Sequence, residues 1–222
     1  MHTWIKFCAT TSLDDALASI EAGADALGFV FAPSKRRVTA EQVQAITAEI
    51  PENIQRVGVF QNEELERVLA TTEQAGLTTL QLHGEETPAY MNTLRSRWKG
   101  PSHLEIIKTV LMDDSFMSRF SALAEDDRSF DAILFDSGAG SGKPFHSDLL
   151  AECFLRFGDD GMTGYKGRII IAGGLNPENV GDAMKTFRPW GVDVVSGVER
   201  EPGCKDREKL KAFVAAVRKA EQ

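Results

Sequence analysis

The chain has 222 residues, of which 42% are hydrophobic and 26% charged, and it contains no long apolar run; this is the composition of a water-soluble globular protein and argues against a bilayer-spanning segment. A formal net charge of −8 argues against nucleic acid as a partner, because such binding depends on Lys and Arg neutralising phosphates, yet a small anion held by local geometry remains compatible with it. Cys8, Cys153 and Cys204 are an odd number at wide spacing without a C-x-x-C pair, which excludes a disulfide framework and a cysteine zinc site and predicts three free thiols.

Met1 to Ser12 has no basic region followed by a continuous apolar one, so a cytoplasmic protein is expected. Trp4 to Cys8 is the first predicted strand. Ser12 with Asp15 then offers a capping box to a helix that carries Leu13, Ala16, Leu17 and Ile20 at helical spacing and closes at Gly23. Ala26 to Phe31 is a fully apolar second strand. After the loop Ala32 to Arg37, Thr39 and Gln42 make a second capping box before Val43, Ile46 and Ile50, with Pro51 as the stop. Arg56 to Phe60 follows as a strand, Glu63 to Ala75 as a helix ended by Gly76, and Thr79 to Leu82 as the fourth strand.

The alternation continues with a helix over about Pro88 to Trp98, a strand Leu104 to Val110, a helix over about Asp113 to Ala124 and a strand Asp131 to Phe135. A weaker helix is predicted from about Ser147 to Phe157, and the Gly/Asp-rich stretch Gly158 to Gly167 reads as a surface loop on the non-catalytic face. Ile169 to Ala172 is a strand that runs into Gly173 and Gly174, and Asn176, Pro177 and Glu178 then supply an N-cap, an N1 proline and a first-turn acid. Val192 to Val195 is the eighth strand and leads into Ser196 and Gly197. A last helix, capped near Asp206, places Leu210, Phe213, Val214 and Val217 on one stripe. Eight short apolar strands alternating with amphipathic helices in this length predict a single (β/α)8 barrel of parallel strands, one domain over residues 1–222.

Barrel active sites collect at the C-terminal ends of strands, so position filters the polar residues. The filter selects Cys8, Arg36, Gln61 with Asn62, His83, Lys108, Asp136, the glycine pair, and Asp193 with Ser196. Cys8 is either a small buried hydrophobe or a thiolate base, the latter requiring a pKa lowered by cations such as Lys6 or Arg36. Asp136 is either a loop cap or a carboxyl whose burial raises its pKa toward that of a general acid. Arg36, in P-S-K-R-R, either forks onto a substrate carboxylate or belongs to a solvated basic turn. Lys108 suits a Schiff base or a charge network, Asp193 a ligand contact or bonds to loop amides, and His83 a ligand contact, with no metal constellation around it. Backbone amides at Gly173, Gly174, Ser196 and Gly197 suit a phosphate, the usual ligand of the loops after strands seven and eight. The run S-G-A-G-S-G-K-P at Ser137 to Pro144 fails as a Walker A loop, since Ser137 and Pro144 replace its first glycine and its final hydroxyl residue, and reads instead as a loop able to close over a ligand or as a plain connection.

With these residues placed, the sequence resembles the phosphoribosylanthranilate isomerase family over nearly its whole length. The likeness rests on K-F-C at Lys6, E-A-G-A-D-A-L-G-F-V-F through Phe31, S-K-R before Arg37, R-V-G-V-F at Arg56, Q-L-H-G-E-E at Gln81, G-S-G-K at Gly140, A-G-G-L-N-P-E-N-V at Ala172, and R-P-W-G-V-D-V followed by S-G-V-E. The resemblance implies an Amadori rearrangement of N-(5-phosphoribosyl)anthranilate in tryptophan biosynthesis, with no metal and no organic cofactor. It implies Asp136 as general acid, Cys8 as base and Arg36 at the anthranilate end. Gln81, His83 and Asp193 are implied to contact the substrate, and Gly142, Gly173, Gly174, Ser196 and Gly197 the phosphate. The implied partner is a small phosphorylated substrate, without nucleic acid or membrane, and a monomer is the default expectation. Three departures stand out: Ala9 where the family usually has glycine after its cysteine, Phe145-His146-Ser147 in place of F-D-W, and Val195 in place of a serine. Two other readings remain compatible with the same residues, a lysine-dependent aldolase through Lys108 and a catalytically silent sugar-phosphate binder.

Overall fold

The computed structural model describes residues 2–101, 103–113, 115–124, 128–138 and 167–222. Eight parallel strands close into a barrel in the order β1 (Trp4–Phe7), β2 (Ala26–Val30), β3 (Gln55–Phe60), β4 (Thr79–Leu82), β5 (Glu105–Leu111), β6 (Ala132–Asp136), β7 (Arg168–Ala172) and β8 (Gly191–Val194). Closure is the pairing of β1 with β8, where Lys6 lies opposite Asp193. The predicted fold is the one observed, and strand limits differ from those predicted by a residue or so.

Among the described residues the helices are α1 (Leu13–Ala22), α2 (Ala40–Thr47), α3 (Leu65–Gln74), α4 (Pro88–Arg97), α5 (Phe116–Ala124), α6 (Val180–Phe187) and α7 (Arg207–Ala220). The Thr39/Gln42 capping box forms in full. The Ser12/Asp15 box forms only by half: the Ser12 hydroxyl accepts from Asp15 N at 3.2 Å, while the Asp15 carboxylate accepts from Lys205 N at 3.2 Å. Asn176 accepts from Glu178 N and Asn179 N as a cap would, but a turn intervenes and the α-helix starts at Val180 rather than beside Pro177. The helix predicted over 147–157 and the loop residues 158–166 lie outside the described residues, as does Cys153.

Alternation along the strands sorts the side chains. Ile5, Phe7, Leu27, Phe29, Ile133, Phe135 and Val192 face outward and pack with the helices, whereas Trp4, Ala26, Val57, Ile107, Leu134 and Ile170 fill the barrel. The N-terminal face is closed by polar side chains from alternate strands. Trp4 Nε1 donates to Gln55 Oε1 (2.7 Å), Gln55 Nε2 to Glu105 Oε2 (2.7 Å), and Arg168 Nη2 to Glu105 Oε1 (3.3 Å). The Arg168 guanidinium also lies 4.8 Å over the Trp190 ring, which stacks on Trp4. By the same alternation the inward positions nearer the C-terminal ends are Lys6, Cys8, Gln81, His83, Asp136 and Asp193.

Candidate active site

Cys8 follows β1 directly and is anchored by its own amide, which donates to Val194 O at 2.9 Å. Ala9 then takes a left-handed φ of 63°, and this reversal lets Thr10 N reach Gly28 O at 2.9 Å. Gly28 in β2 is where a side chain has no room: a Cβ there would lie 2.6 Å from Cys8 Sγ and 2.9 Å from Lys6 Cε. The thiol and the lysine chain therefore pack together over bare backbone. Lys6 Nζ donates to Asp193 Oδ1 at 2.9 Å, with both side chains buried.

Burial pushes the Cys8 thiol above its ordinary value, and the ammonium of Lys6 opposes that shift without overcoming it. The lowered pKa that the thiolate reading of Cys8 calls for is thus not supplied by its surroundings here. Burial disfavours the Lys6 ammonium as well, but Asp193 and Cys8 more than restore it, so Lys6 lies above the usual lysine range.

Asp136 ends β6 three strands round the ring from Cys8. Its Oδ1 accepts from Gly138 N at 2.9 Å, and its Oδ2 lies 3.7 Å from His83 Nε2, which comes from the end of β4. Burial raises the Asp136 carboxyl, only partly offset by His83 and the Gly138 amide. The same burial lowers His83, which Asp136 only partly restores. Both shifts favour the neutral form of each group. Gln81, two residues before His83, is 3% exposed, and its Oε1 has no hydrogen-bond partner among the described residues.

Gly173 and Gly174 follow β7 with φ of 89° and 71°, a conformation that disfavours any other residue. Gly173 also packs closely on the end of β6, since a Cβ there would lie 2.7 Å from both Asp136 Oδ1 and Ser137 N. Ser196 and Gly197 open a short 3₁₀ turn after β8, and a Cβ at Gly197 would overlap Leu175 O. The two glycine loops are therefore in contact with each other, and the first of them also with the Asp136 loop. Gly142, Phe145 and His146 lie outside the described residues.

Arg36 is not a solvated basic turn. Its Nε donates to Glu199 Oε1 (2.9 Å) and Oε2 (3.1 Å) and its Nη2 to Oε2 (2.6 Å), a two-pronged clasp on the protein's own carboxylate. Glu199 begins a small hairpin, β9 (Glu199–Glu201) with β10 (Cys204–Lys205), that the sequence reading missed. Lys205 Nζ donates from this hairpin to Cys8 O at 2.6 Å, and its ammonium sits 3.7 Å from Glu199 Oε1. The hairpin thus ties Cys8 and Arg36 into one network, and its only signal in the sequence is the acid that closes S-G-V-E.

Lys108 does not join the site. Lying between the inward Ile107 and Thr109, it faces outward, where it donates to the Leu82 and Gly84 carbonyls and, at 2.8 Å, to Glu86 Oε2. The charge-network reading of Lys108 stands, and the Schiff-base reading loses its geometry. Among the described residues no group of three or more His, Cys, Asp or Glu is arranged to hold a metal ion, and no helix is long and apolar enough to cross a membrane.

A (β/α)8 barrel with a thiol, a buried carboxyl and an arginine at one end, beside two glycine loops, belongs to the class of barrels that carry out proton transfers on small ligands. Comparison narrows the class. The family model for N-(5'phosphoribosyl)anthranilate (PRA) isomerase matches residues 5–216. The N-(5'-phosphoribosyl)anthranilate isomerase of Geobacter sp. (strain M21) is 38% identical over 98% of both chains. A phosphoribosyl anthranilate isomerase solved in complex with reduced 1-(o-carboxyphenylamino)-1-deoxyribulose 5-phosphate is 36% identical with a TM-score of 0.80, covering 98% of this chain and all of the other. The enzyme from Thermus thermophilus is 35% identical with a TM-score of 0.81, over 98% of this chain and 99% of its own. The chain belongs to the phosphoribosylanthranilate isomerase family.

Proposed function

We propose that this protein isomerises N-(5'-phosphoribosyl)anthranilate to 1-(o-carboxyphenylamino)-1-deoxyribulose 5-phosphate, a step of tryptophan biosynthesis. The observation that carries the reading is the pairing of Cys8 and Asp136 as inward groups at the mouth of one barrel, with burial raising the carboxyl above its ordinary range. Asp136 protonates the ribose ring oxygen as the C1–O bond breaks, and the anthranilate nitrogen lone pair forms the Schiff base. Cys8, as thiolate, then takes the proton from C2, and the electron pair of that bond moves to give an enolamine, which tautomerises to the ketone. Gly173, Gly174, Ser196 and Gly197 hold the phosphate through backbone amides, with Gly142 in support. Arg36 serves the anthranilate carboxylate; Gln81, His83 and Asp193 border the ribose and the aromatic ring.

The two shifted groups set the pH dependence. The reactive form needs Asp136 protonated and Cys8 ionised, yet the carboxyl titrates below the thiol, so this form is a constant minority between the two pKa values. Below the Asp136 pKa the thiolate fraction falls with no further gain in protonated acid; above the Cys8 pKa the protonated acid falls with no further gain in thiolate. The expected kcat/KM profile is a bell with its acid limb at Asp136 and its alkaline limb at Cys8.

Turnover is measurable as loss of anthranilate fluorescence. Wild-type protein is expected to consume phosphoribosylanthranilate, and Cys8→Ala and Asp136→Asn each to lose about 10²-fold or more in kcat. A wild type that consumes nothing overturns the activity; variants with full activity overturn only the two roles.

A further inference from the structure

The reaction as derived leaves unused the most deeply placed charge in the site, the ammonium of Lys6. A buried cation is tolerated when paired, and Asp193 provides that pairing from the neighbouring strand at 2.9 Å. Pairing alone does not explain where the side chain goes. Lys6 stands two residues before Cys8 on the same inward face, and Lys6 Cε and Cys8 Sγ both pack onto Gly28, whose missing side chain makes the space they share. A Cβ at Gly28 would lie 2.6 Å from Cys8 Sγ and 2.9 Å from Lys6 Cε, so the end of the lysine chain and the sulfur are neighbours. We infer that Lys6 is a positioning residue for Cys8: clamped by Asp193, its ammonium holds the sulfur at the strand end and stabilises it as thiolate.

Other charges face the thiol. Asp193 opposes ionisation, while Lys205 from β10 and Arg36 from the loop after β2 favour it. These two cations act at a remove, because Lys205 donates to the Cys8 carbonyl rather than to the sulfur and Arg36 is clasped by Glu199. Lys6 is the cation whose side chain packs beside the sulfur. Across the mouth, His83 and Asp136 feel both Lys6 and Asp193, so the pair also biases the acid side of the site.

The inference rests on Cys8 as the base, but its test does not need turnover. In a protein carrying Cys153→Ser and Cys204→Ser, the ultraviolet thiolate absorbance of Cys8 is titrated, with Cys8→Ser as the blank that removes tyrosine ionisation. Lys6→Met is expected to move the thiolate step up by about one pH unit or more, a tenfold change in the ionisation constant, and Lys6→Arg to restore most of it. The alkaline limb of kcat/KM is expected to move with the step, and its plateau to fall by about the same factor. A folded Lys6→Met protein whose thiolate step stays at the wild-type pH overturns the inference. Should Lys6→Met fail to fold, Asp193→Asn reads the same coupling from the other side: the step is expected to fall in pH, and an unchanged step overturns the inference equally. A shifted step in a protein without isomerase turnover keeps the coupling and removes the proposed reaction; turnover with an unshifted step removes the role of Lys6 alone.

Discussion

Ala9 occupies a backbone conformation, φ 63°, that an alanine adopts at a cost of about 1–2 kcal/mol relative to the right-handed region. That cost is the direct consequence of a non-glycine residue directly after Cys8. Two effects offset it. Alanine restricts the unfolded chain, worth about 0.4–1 kcal/mol over glycine, and its methyl is almost wholly buried, 1% exposed, worth about 0.8 kcal/mol more. The sum is close to zero, which is why the turn survives without glycine and still delivers Thr10 N to Gly28 O. Ala9→Gly is therefore expected to change unfolding free energy by less than about 1 kcal/mol, whereas Ala9→Val, with a branched side chain in the same region, is expected to cost more than about 2 kcal/mol. Urea denaturation of the three proteins distinguishes this balance from a loop that simply relaxes, in which case Ala9→Val would be as stable as wild type.

Among the elements, the β9–β10 hairpin decides how the site is held. Thr11 Oγ1 donates to Gly203 O at 2.6 Å, Lys205 grips the Cys8 carbonyl, and Glu199 clasps Arg36 while accepting from Gly203 N at 3.1 Å. Glu199→Gln removes a charge that faces two cations. Hydrogen bonds to charged groups contribute about 1.5–3 kcal/mol, and with Arg36 partly open to solvent a loss near the lower end of that range is expected. With Arg36 in its proposed role at the anthranilate carboxylate, the clasp would fix the guanidinium in advance of the substrate, and KM is expected to rise more than kcat falls; equal KM values in variant and wild type would separate Glu199 from substrate binding. Apart from the acid that closes S-G-V-E, none of this was legible in the sequence. Strands of three and two residues, mostly charged, carry no alternation to detect, whereas the eight barrel strands are apolar runs bounded by caps and glycines and could be placed to within a residue or two. The same logic explains Lys108. Glu105–Leu111 is apolar on both faces, so periodicity does not say which way the lysine points, and only closure of the barrel turns it outward to Glu86.

For the molecule as a whole, the barrel separates stability from chemistry along its axis. The C-terminal end gathers Cys8, Lys6, Asp136, His83 and Asp193, and there burial raises Cys8 and Asp136 and lowers His83, each against its charged form. The N-terminal end gathers Trp4, Gln55, Glu105 and Arg168 from β1, β3, β5 and β7, joined in one hydrogen-bonded chain that closes the barrel floor. Side chains at the bottom of such barrels serve stability, and those at the top serve catalysis. Glu105 is the link on which the floor depends, since its two oxygens receive Gln55 and Arg168 separately. Glu105→Ala leaves the Gln55 amide without its acceptor, a loss of about 1–3 kcal/mol for a polar group stripped of one partner. The unfolding midpoint in urea is expected to fall accordingly, while kcat/KM at a temperature where both proteins are folded stays within about twofold of wild type, a change below 0.5 kcal/mol or so in transition-state stabilisation. A large fall in kcat/KM in folded Glu105→Ala protein would mean that the floor and the mouth are mechanically coupled, and that the strands transmit displacement along the whole barrel rather than isolating its two ends.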